Sequence, residues 1–169
     1  MSNELVTLIA NIALTLSVIV AVIFGIAQVK NAAKDRRERL TLETLRGFQT
    51  REFAEMLNFI GGLKIPATYA EMQAWPAEDR VRFIHFSQQM EALGLLLAEK
   101  LINIDLVDKT LGSFVTSTWQ RSRPLIENLR GEIDDPFLNE YFQWMAEQLE
   151  RRMKEKPRAP FHTSANKAM

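Results

Sequence analysis

The chain has 169 residues and a formal net charge of zero, because 21 lysine and arginine residues balance 21 aspartate and glutamate residues. With 47% hydrophobic and 25% charged residues, the composition excludes a disordered or collagen-like chain, and the length allows one domain with a buried core. The sequence has no cysteine, which excludes disulfide scaffolds, thiol nucleophiles and cysteine-ligated metal centres.

The charge is distributed unevenly along the chain. Residues 1–29 contain one charged residue, Glu4, whereas residues 30–51 carry seven basic and three acidic residues. Residues 52–147 carry eight basic and fifteen acidic residues, and residues 148–169 carry six basic and two acidic ones. Neutrality therefore averages an apolar start, a basic segment, an acidic body and a basic tail.

The segment from Leu5 to Ala27 predicts a transmembrane helix. Its 23 residues carry no charge, and a helix of that length rises about 34 Å, enough to cross a bilayer. The alternatives are a buried core helix and a cleaved signal peptide. A core helix seldom sustains so long an uncharged run, and a signal peptide would begin with basic residues and have a shorter apolar stretch.

A cluster of basic residues, here called the basic collar, follows this span: Lys30, Lys34, Arg36, Arg37 and Arg39. Because no basic residue precedes the span, the positive-inside rule predicts a single-pass inner-membrane protein with its N-terminus outside and its C-terminal part in the cytoplasm. The collar is also expected to contact anionic lipid headgroups, at about 1 kcal/mol for each basic side chain. A collar that acts only as a topology signal is an equal alternative.

Small residues recur every four positions within the span and predict a helix-packing stripe, formed by Ala13, Ser17, Ala21 and Gly25. Asn11 lies on a second, polar stripe, and its amide would seek a hydrogen-bonding partner in the hydrocarbon. We therefore expect the span to associate with a second copy or with another membrane helix, although small residues are common in any transmembrane helix.

The remainder of the chain predicts an all-α fold. Residues 28–60 contain no proline and one glycine, Gly47, so we expect a stalk helix that continues the anchor and ends at Gly61 and Gly62. Residues 61–153, with the end of the stalk, are expected to form a small helical bundle. Residues 154–169 contain two prolines and few apolar side chains, and predict a disordered basic tail.

Proline, glycine and capping residues predict where the helices of the bundle begin and end. A short helix is expected near residues 68–75, and a long one from Pro76 or Ala77 to about Leu101. The next helix is expected to begin with a capping box at Asp105, and to kink or split at Pro124. Asp135 followed by Pro136 predicts the start of the last helix, with Phe137 as the first residue of its apolar face.

We find no sequence pattern of an enzyme. The histidines are His85, expected on a polar helix face, and His162, in the tail, so no histidine cluster can bind a catalytic metal. Phosphate-binding glycine loops, nucleophile elbows and kinase signatures are absent from the sequence. We therefore expect no enzyme activity, no metal or other cofactor and no small-molecule substrate. The acidic body with scattered basic residues argues against nucleic-acid binding.

Glu91 is the carboxylate with the most unusual predicted environment. On a helical wheel it falls among Ile84, Leu95, Ala98 and Ile102, in the sector expected to be buried. A buried carboxylate needs a partner, and we expect Arg123 or Arg130 to form an ion pair with it. Such a pair would more often set helix register than form a functional site.

Trp119 falls off the apolar face of its predicted helix, on the same stripe as Arg123 and Arg130. It is expected either to pack on a second surface, such as the stalk, or to be an exposed recognition aromatic. Packing is the preferred interpretation.

The C-terminal half resembles a family of uncharacterised bacterial proteins that have one N-terminal membrane helix and a small helical cytoplasmic domain. The matching features are Glu91 with Gly94, Leu111 with Gly112, Trp119, Pro124, Arg130 and the closing sequence FQWMAEQLE. The resemblance implies the fold and the topology. It implies no activity, catalytic residue or cofactor.

These features together predict a non-enzymatic, single-pass membrane protein whose cytoplasmic helical domain mediates protein interaction or self-assembly at the inner membrane. The partners expected are the membrane itself and either a second copy or another protein. The alternative is a membrane-perturbing effector of a phage-defence or toxin system, in which an oligomer disturbs the bilayer.

Overall fold

The computed structural model of the chain describes residues 3–160, and within them it contains helices and no strand. The all-α fold class is therefore confirmed. The chain divides into two compact units, Met1–Leu40 and Thr41–Met169. The helices are α1 (Asn3–Gly47), α2 (Arg51–Gly62), α3 (Tyr69–Gln73), α4 (Ala77–Ala98), α5 (Ile104–Ile133) and α6 (Glu140–Glu155). The predicted tail at 154–169 begins later than expected, because α6 includes residues 154 and 155, and residues 161–169 with His162 lie outside the described part.

The N-terminal unit is helical from Asn3 onward, with its apolar side chains exposed. Among the described helices, α1 is long and apolar enough to cross a membrane, with a mean hydropathy of 2.5 over its most apolar window. Thr7 and Thr15 each donate a side-chain hydrogen bond to the carbonyl four residues earlier, at 2.9 and 2.8 Å. The helix thereby satisfies these two hydroxyl groups internally, as an apolar medium requires.

The predicted stalk at 28–60 is not one helix. α1 ends at Gly47 in a short turn, and α2 begins after Thr50, whose hydroxyl accepts a hydrogen bond from the amide of Phe53 at 3.1 Å. Glycine disfavours a helix interior by about 1 kcal/mol, and the threonine cap stabilises a new start. Phe48 packs edge-on against Phe53, with ring centroids 4.8 Å apart. α2 ends at Gly62, as predicted.

The short helix predicted near residues 68–75 is confirmed as α3, which has a capping box between Thr68 and Glu71. α4 begins at Ala77 as predicted. The capping box predicted at Asp105 is wrong, because the Asn103 side chain caps α5 by accepting from the amide of Asp105. Pro124 lies inside α5, which is assigned as one helix from Ile104 to Ile133, so proline does not split it.

The last helix begins later than predicted. Asp135 accepts from the amide of Phe137 in a turn, and α6 begins only at Glu140. Asp134 and Asn139 adopt left-handed backbone conformations, with φ of 52° and 56°, and a helix cannot pass through a left-handed residue. Phe137 is consequently outside α6, and its side chain is 69% exposed.

The core of the C-terminal unit forms where α6 packs against α4 and α5. Phe142 of α6 lies at its centre, with its ring edge-on to Phe86 of α4 at 6.0 Å and to Trp119 of α5 at 5.2 Å. On α5 the buried side chains include Val107, Leu111, Val115 and Thr118. Other fully buried large side chains come from α2, α4, α5 and α6: Ile60, Met90, Leu93, Leu125, Ile126, Met145 and Leu149.

Candidate functional site

Glu91 lies on α4 and is half-buried, but it does not form the predicted ion pair. Its two carboxylate oxygens accept hydrogen bonds from the backbone amides of Tyr141 at 3.1 Å and Phe142 at 2.8 Å. These are second and third residues of α6, whose amides have no partner within the helix. Asn139, the residue before α6, makes no side-chain cap. Glu91 therefore caps α6 from another helix.

Gly94 lies one turn after Glu91 and brings the same two helices together. A Cβ atom added at Gly94 would lie 2.5 Å from the carbonyl carbon of Tyr141, and closer still to its oxygen. No side chain larger than hydrogen fits without moving α6. Glu91 and Gly94 therefore act as one docking site for the first turn of α6 on α4.

The two arginines expected to pair with Glu91 bind elsewhere. Arg123 is exposed and bonds to Glu127, one turn along α5, at 2.6 Å. That hydrogen bond and the charge of Glu127 raise the pKa of Arg123 above its ordinary value. Arg130 donates to the carbonyl of Leu138 at 2.9 Å and to the side chain of Gln143 at 2.7 Å. The two α6 amides satisfy the Glu91 carboxylate in place of the expected arginine.

Further polar side chains of α5 also bond to the ends of other helices. Arg121 donates to the carbonyls of Ile60 at 3.0 Å and Leu63 at 2.5 Å, at the C-terminus of α2. Asn128 accepts from the amide of Tyr69 at 2.7 Å, at the start of α3. These contacts satisfy helix-end groups that otherwise lack partners. The side chains of Arg121 and Asn128 therefore stabilise the fold through these hydrogen bonds.

Trp119 is 4% exposed, so the recognition-aromatic interpretation is wrong and the packing interpretation is confirmed. Its ring packs edge-on against Phe142 of α6. Val115 and Ile126, which lie within about 40° of Trp119 on the helical wheel, are also buried. The buried side of α5 is therefore wider than predicted and includes Trp119.

A polar groove of about 480 Å³ lies where α2 faces α4. It contains Glu52, Glu55 and Arg82, but the Arg82 side chain bonds to Glu78 at 2.5 Å and Glu55 bonds to Arg51 at 2.8 Å. Its charges are thus largely paired. Within residues 3–160, no group of three or more metal-ligating side chains comes together.

The remaining candidate is an exposed stripe of α4, here called the α4 face: Val81, Ile84, Gln88, Ala92 and Leu95. Val81 is 65% exposed, Ile84 45% and Leu95 40%. The prediction that Ile84 and Leu95 lie in the buried sector is therefore wrong. The buried side of α4 is instead formed by Phe83, Phe86, Met90, Leu93 and Leu97.

Two shallow apolar grooves border the α4 face. The first, of about 400 Å³, lies between Val81 and Ile84 of α4 and Ile133 of α5. The second, of about 470 Å³, lies between Leu95 and the exposed Phe137. Leu138 lines both grooves, which makes the apolar surface continuous along α4. The exposed apolar side chains therefore form one surface rather than scattered positions.

A family model matches most of the chain. A model of a domain of unknown function, DUF4760, matches residues 15–149. The chain belongs to the DUF4760 family. The match includes all of α2 to α5 and most of α6, and so contains both the Glu91–Gly94 docking site and the α4 face. No curated protein and no solved structure matches this DUF4760 chain.

Proposed function

We propose that this DUF4760 protein is a non-enzymatic, single-pass protein of the bacterial inner membrane whose C-terminal helical unit mediates protein association in the cytoplasm. The observation that carries the proposal is the α4 face. Val81, Ile84 and Leu95 are exposed along one stripe, next to exposed Ile133 and Phe137. Contiguous apolar surface of this kind, beyond the scattered exposed side chains of any protein, is typical of interaction sites.

Anchoring is supported by the apolar stretch of α1 and by the charges that follow it. The five residues of the basic collar are exposed and come directly after the uncharged segment 5–27. Lys34 bonds to Glu38 at 3.9 Å, but both side chains are largely exposed, so the pair contributes little. A net basic segment on this side of the span favours a cytoplasmic C-terminal unit.

The proposal is tested with a photo-crosslinking amino acid placed at Ile84 in the full-length protein in native membranes. We expect discrete protein adducts at Ile84 and at Leu95. The matched control is Ser117 of α5, which is exposed and lines neither groove beside the α4 face; it should give none. Adducts of equal yield at Ser117, or none at any site, would contradict an interaction role for the α4 face.

A second measurement separates this function from the effector alternative. Expression of the intact protein should leave growth and membrane potential unchanged if the C-terminal unit is an association module. Growth arrest with membrane depolarisation on induction would instead favour an effector that perturbs the bilayer.

A further inference from the structure

The residues that follow α6 lie against the first turns of α5. α6 ends at Glu155, and Pro157 cannot continue the helix because its ring fixes φ and its nitrogen carries no hydrogen. Residues 152–158 are here called the C-terminal strap. The strap and α5 enclose a cavity of about 300 Å³, lined by Asp108, Ser113, Met153, Lys156, Pro157 and Arg158.

Two ion pairs hold the C-terminal strap on α5. Arg152 bonds to Asp105, and the Nη1 atom of Arg158 lies 3.8 Å from the Oδ2 atom of Asp108. Both acids belong to the first two turns of α5, and both basic residues belong to the strap. The strap is therefore docked on α5 by opposite charge.

Gly112 makes room for the second of these pairs. A Cβ atom added at Gly112 would lie 2.7 Å from the Oδ1 atom of Asp108 and 3.4 Å from the Cε atom of Met153. The Asp108 side chain lies in this space and is only 18% exposed. A carboxylate so far from water needs a cation or hydrogen-bond donors. The strap supplies Arg158, and Lys156 lines the same cavity.

The docked arrangement is a weak one. The Arg158 side chain is half exposed and its contact with Asp108 is long, and an ion pair of this kind gains little free energy and is screened by salt. Within residues 3–160, the Nε atom of Arg152 is buried with no hydrogen-bond partner, which costs free energy in the docked state. A denser array of anions would therefore compete effectively for the strap.

The composition of the strap suits an anionic lipid surface. Residues 151–158 contain five basic residues and one acidic residue, and basic clusters of this size bind anionic headgroups. The acidic 52–147 stretch disfavours a nucleic acid as the competing anion. α1 is apolar and long enough to cross a membrane, and an anchored chain holds its own bilayer at high effective concentration.

We propose that the C-terminal strap exchanges between two anionic partners: Asp105 and Asp108 of α5, and the headgroups of an anionic bilayer. The same guanidinium groups serve both partners, so lipid shifts the strap away from α5 to the extent that it binds the strap more tightly. The proposal rests on the membrane anchoring in the proposed function. It adds a contact between the C-terminal unit and lipid that depends on lipid charge.

The first measurement is contact between the strap and the bilayer. Because the sequence has no cysteine, a fluorophore is attached at Ala159→Cys, an exposed position next to the strap. The full-length protein is reconstituted in bilayer discs of phosphatidylcholine, alone or with phosphatidylglycerol, and a trace lipid carries a quencher on its headgroup. Quenching should be weak in phosphatidylcholine and several-fold stronger with a high share of phosphatidylglycerol.

The decisive variant removes the acids of α5. At a low share of phosphatidylglycerol, Asp105→Asn/Asp108→Asn should raise quenching several-fold, because lipid no longer competes with α5 for the strap. The matched control, Glu99→Gln/Glu132→Gln, removes the same charge at two exposed positions outside the two ion pairs, and should quench as the parent protein does. Asn103 still caps α5 in the decisive variant, and thermal unfolding verifies that its fold is intact.

A second measurement follows docking itself. Spin labels at Ser117→Cys and Ala159→Cys, on α5 and beside the strap, should give one narrow distance distribution in phosphatidylcholine discs. Phosphatidylglycerol should make the distribution longer and broader, and so should Asp105→Asn/Asp108→Asn in phosphatidylcholine. The same change produced by inorganic phosphate alone, at matched ionic strength, would assign the exchange to a soluble anion and overturn the bilayer as the partner.

Three further results would overturn the proposal. Equal quenching in Asp105→Asn/Asp108→Asn and in its control would show that the α5 acids do not compete with lipid. Lipid contact at an unchanged label distance would show that the strap binds lipid while it stays docked. The association role at Ile84 is unaffected by either result. Protein that is not retained in the bilayer discs would refute the anchoring as well as the exchange.

Discussion

Two residues of α4, Glu91 and Gly94, determine how the start of α6 is held. The Glu91 carboxylate accepts two amides of the first turn of α6, where the helix dipole favours a negative charge. Gly94 supplies the space that this contact needs. Both residues therefore have a structural task.

Replacing Glu91 with alanine should lower the free energy of unfolding by about 1–2 kcal/mol, because two amides at the start of α6 lose their acceptor. Glu91→Gln should lower it less, since the amide oxygen can replace one of the two acceptors. Chemical denaturation of the detergent-solubilised protein, followed by circular dichroism, measures the difference.

A double-mutant cycle with Arg123 tests the ion pair that the structure lacks. The effects of Glu91→Ala and Arg123→Ala should add, because Arg123 bonds to Glu127 and not to Glu91. A coupling energy above about 0.5 kcal/mol would mean that Glu91 and Arg123 do interact.

At the scale of elements, α4 and α6 approach so closely that the backbone of α6 lies against Gly94. The left-handed Asp134 and Asn139 turn the chain between α5 and α6, and Arg130 holds the turn through the carbonyl of Leu138. The first turn of α6 then lies against Gly94, and Glu91 accepts hydrogen bonds from two of its amides.

Gly94→Ala should destabilise the C-terminal unit by about 1–3 kcal/mol, despite the better helix propensity of alanine, because the new methyl group overlaps the Tyr141 carbonyl. Gly131→Ala is the matched control. Gly131 is also helical, and nothing lies within 4 Å of its added Cβ, so this variant should gain up to about 1 kcal/mol. Thermal unfolding compares the two, and equal destabilisation would argue against the close approach.

At the scale of the whole molecule, the net charge of zero conceals a segregation of charge. The basic collar follows the apolar segment, and fifteen acidic residues lie in the following 52–147 stretch. The collar side chains are exposed, which agrees with the headgroup contact and the topology signal proposed for them.

Replacing the five collar residues with glutamine should produce a mixture of the two orientations, because basic residues within the first 15–20 positions after a span dominate its topology. Reporters fused at the C-terminus, active on only one side of the membrane, measure the inverted fraction. The control replaces five basic residues of the C-terminal region with glutamine: Arg151, Arg152, Lys154, Lys156 and Arg158. A uniform orientation in both variants would show that the collar does not set topology.

Local signals predicted the elements better than their partners. The end of α2 at Gly62, the short helix near residues 68–75 and the start of α4 follow from glycine and proline positions. The stalk was expected to be one helix, because a single glycine does not by itself end a helix. The helix breaks at Gly47, and the Thr50 cap three residues later begins α2. The start of α6 was misjudged, because Asp135–Pro136 also fits the turn that precedes it.

The candidate site was harder to predict because it depends on which side of α4 is covered. Apolar residues lie on both the buried and the exposed side of this helix, so the helical wheel could not distinguish Phe86 and Met90, which are buried, from Ile84 and Leu95, which are exposed. Glu91 was predicted to be buried and is half-buried. Its acceptors are backbone amides of a distant helix, and side-chain patterns give no signal for them.

The polar contacts that α5 makes with other helix ends have a consequence for how the C-terminal unit unfolds. Arg121 bonds to the end of α2 and Asn128 to the start of α3, and α3 has only five residues, too few to be stable alone. The order of these short helices therefore depends on α5 being folded. Hydrogen exchange should show α3 opening locally at low cost, whereas opening of α5 should expose the amides of α2 and α3 in the same cooperative event.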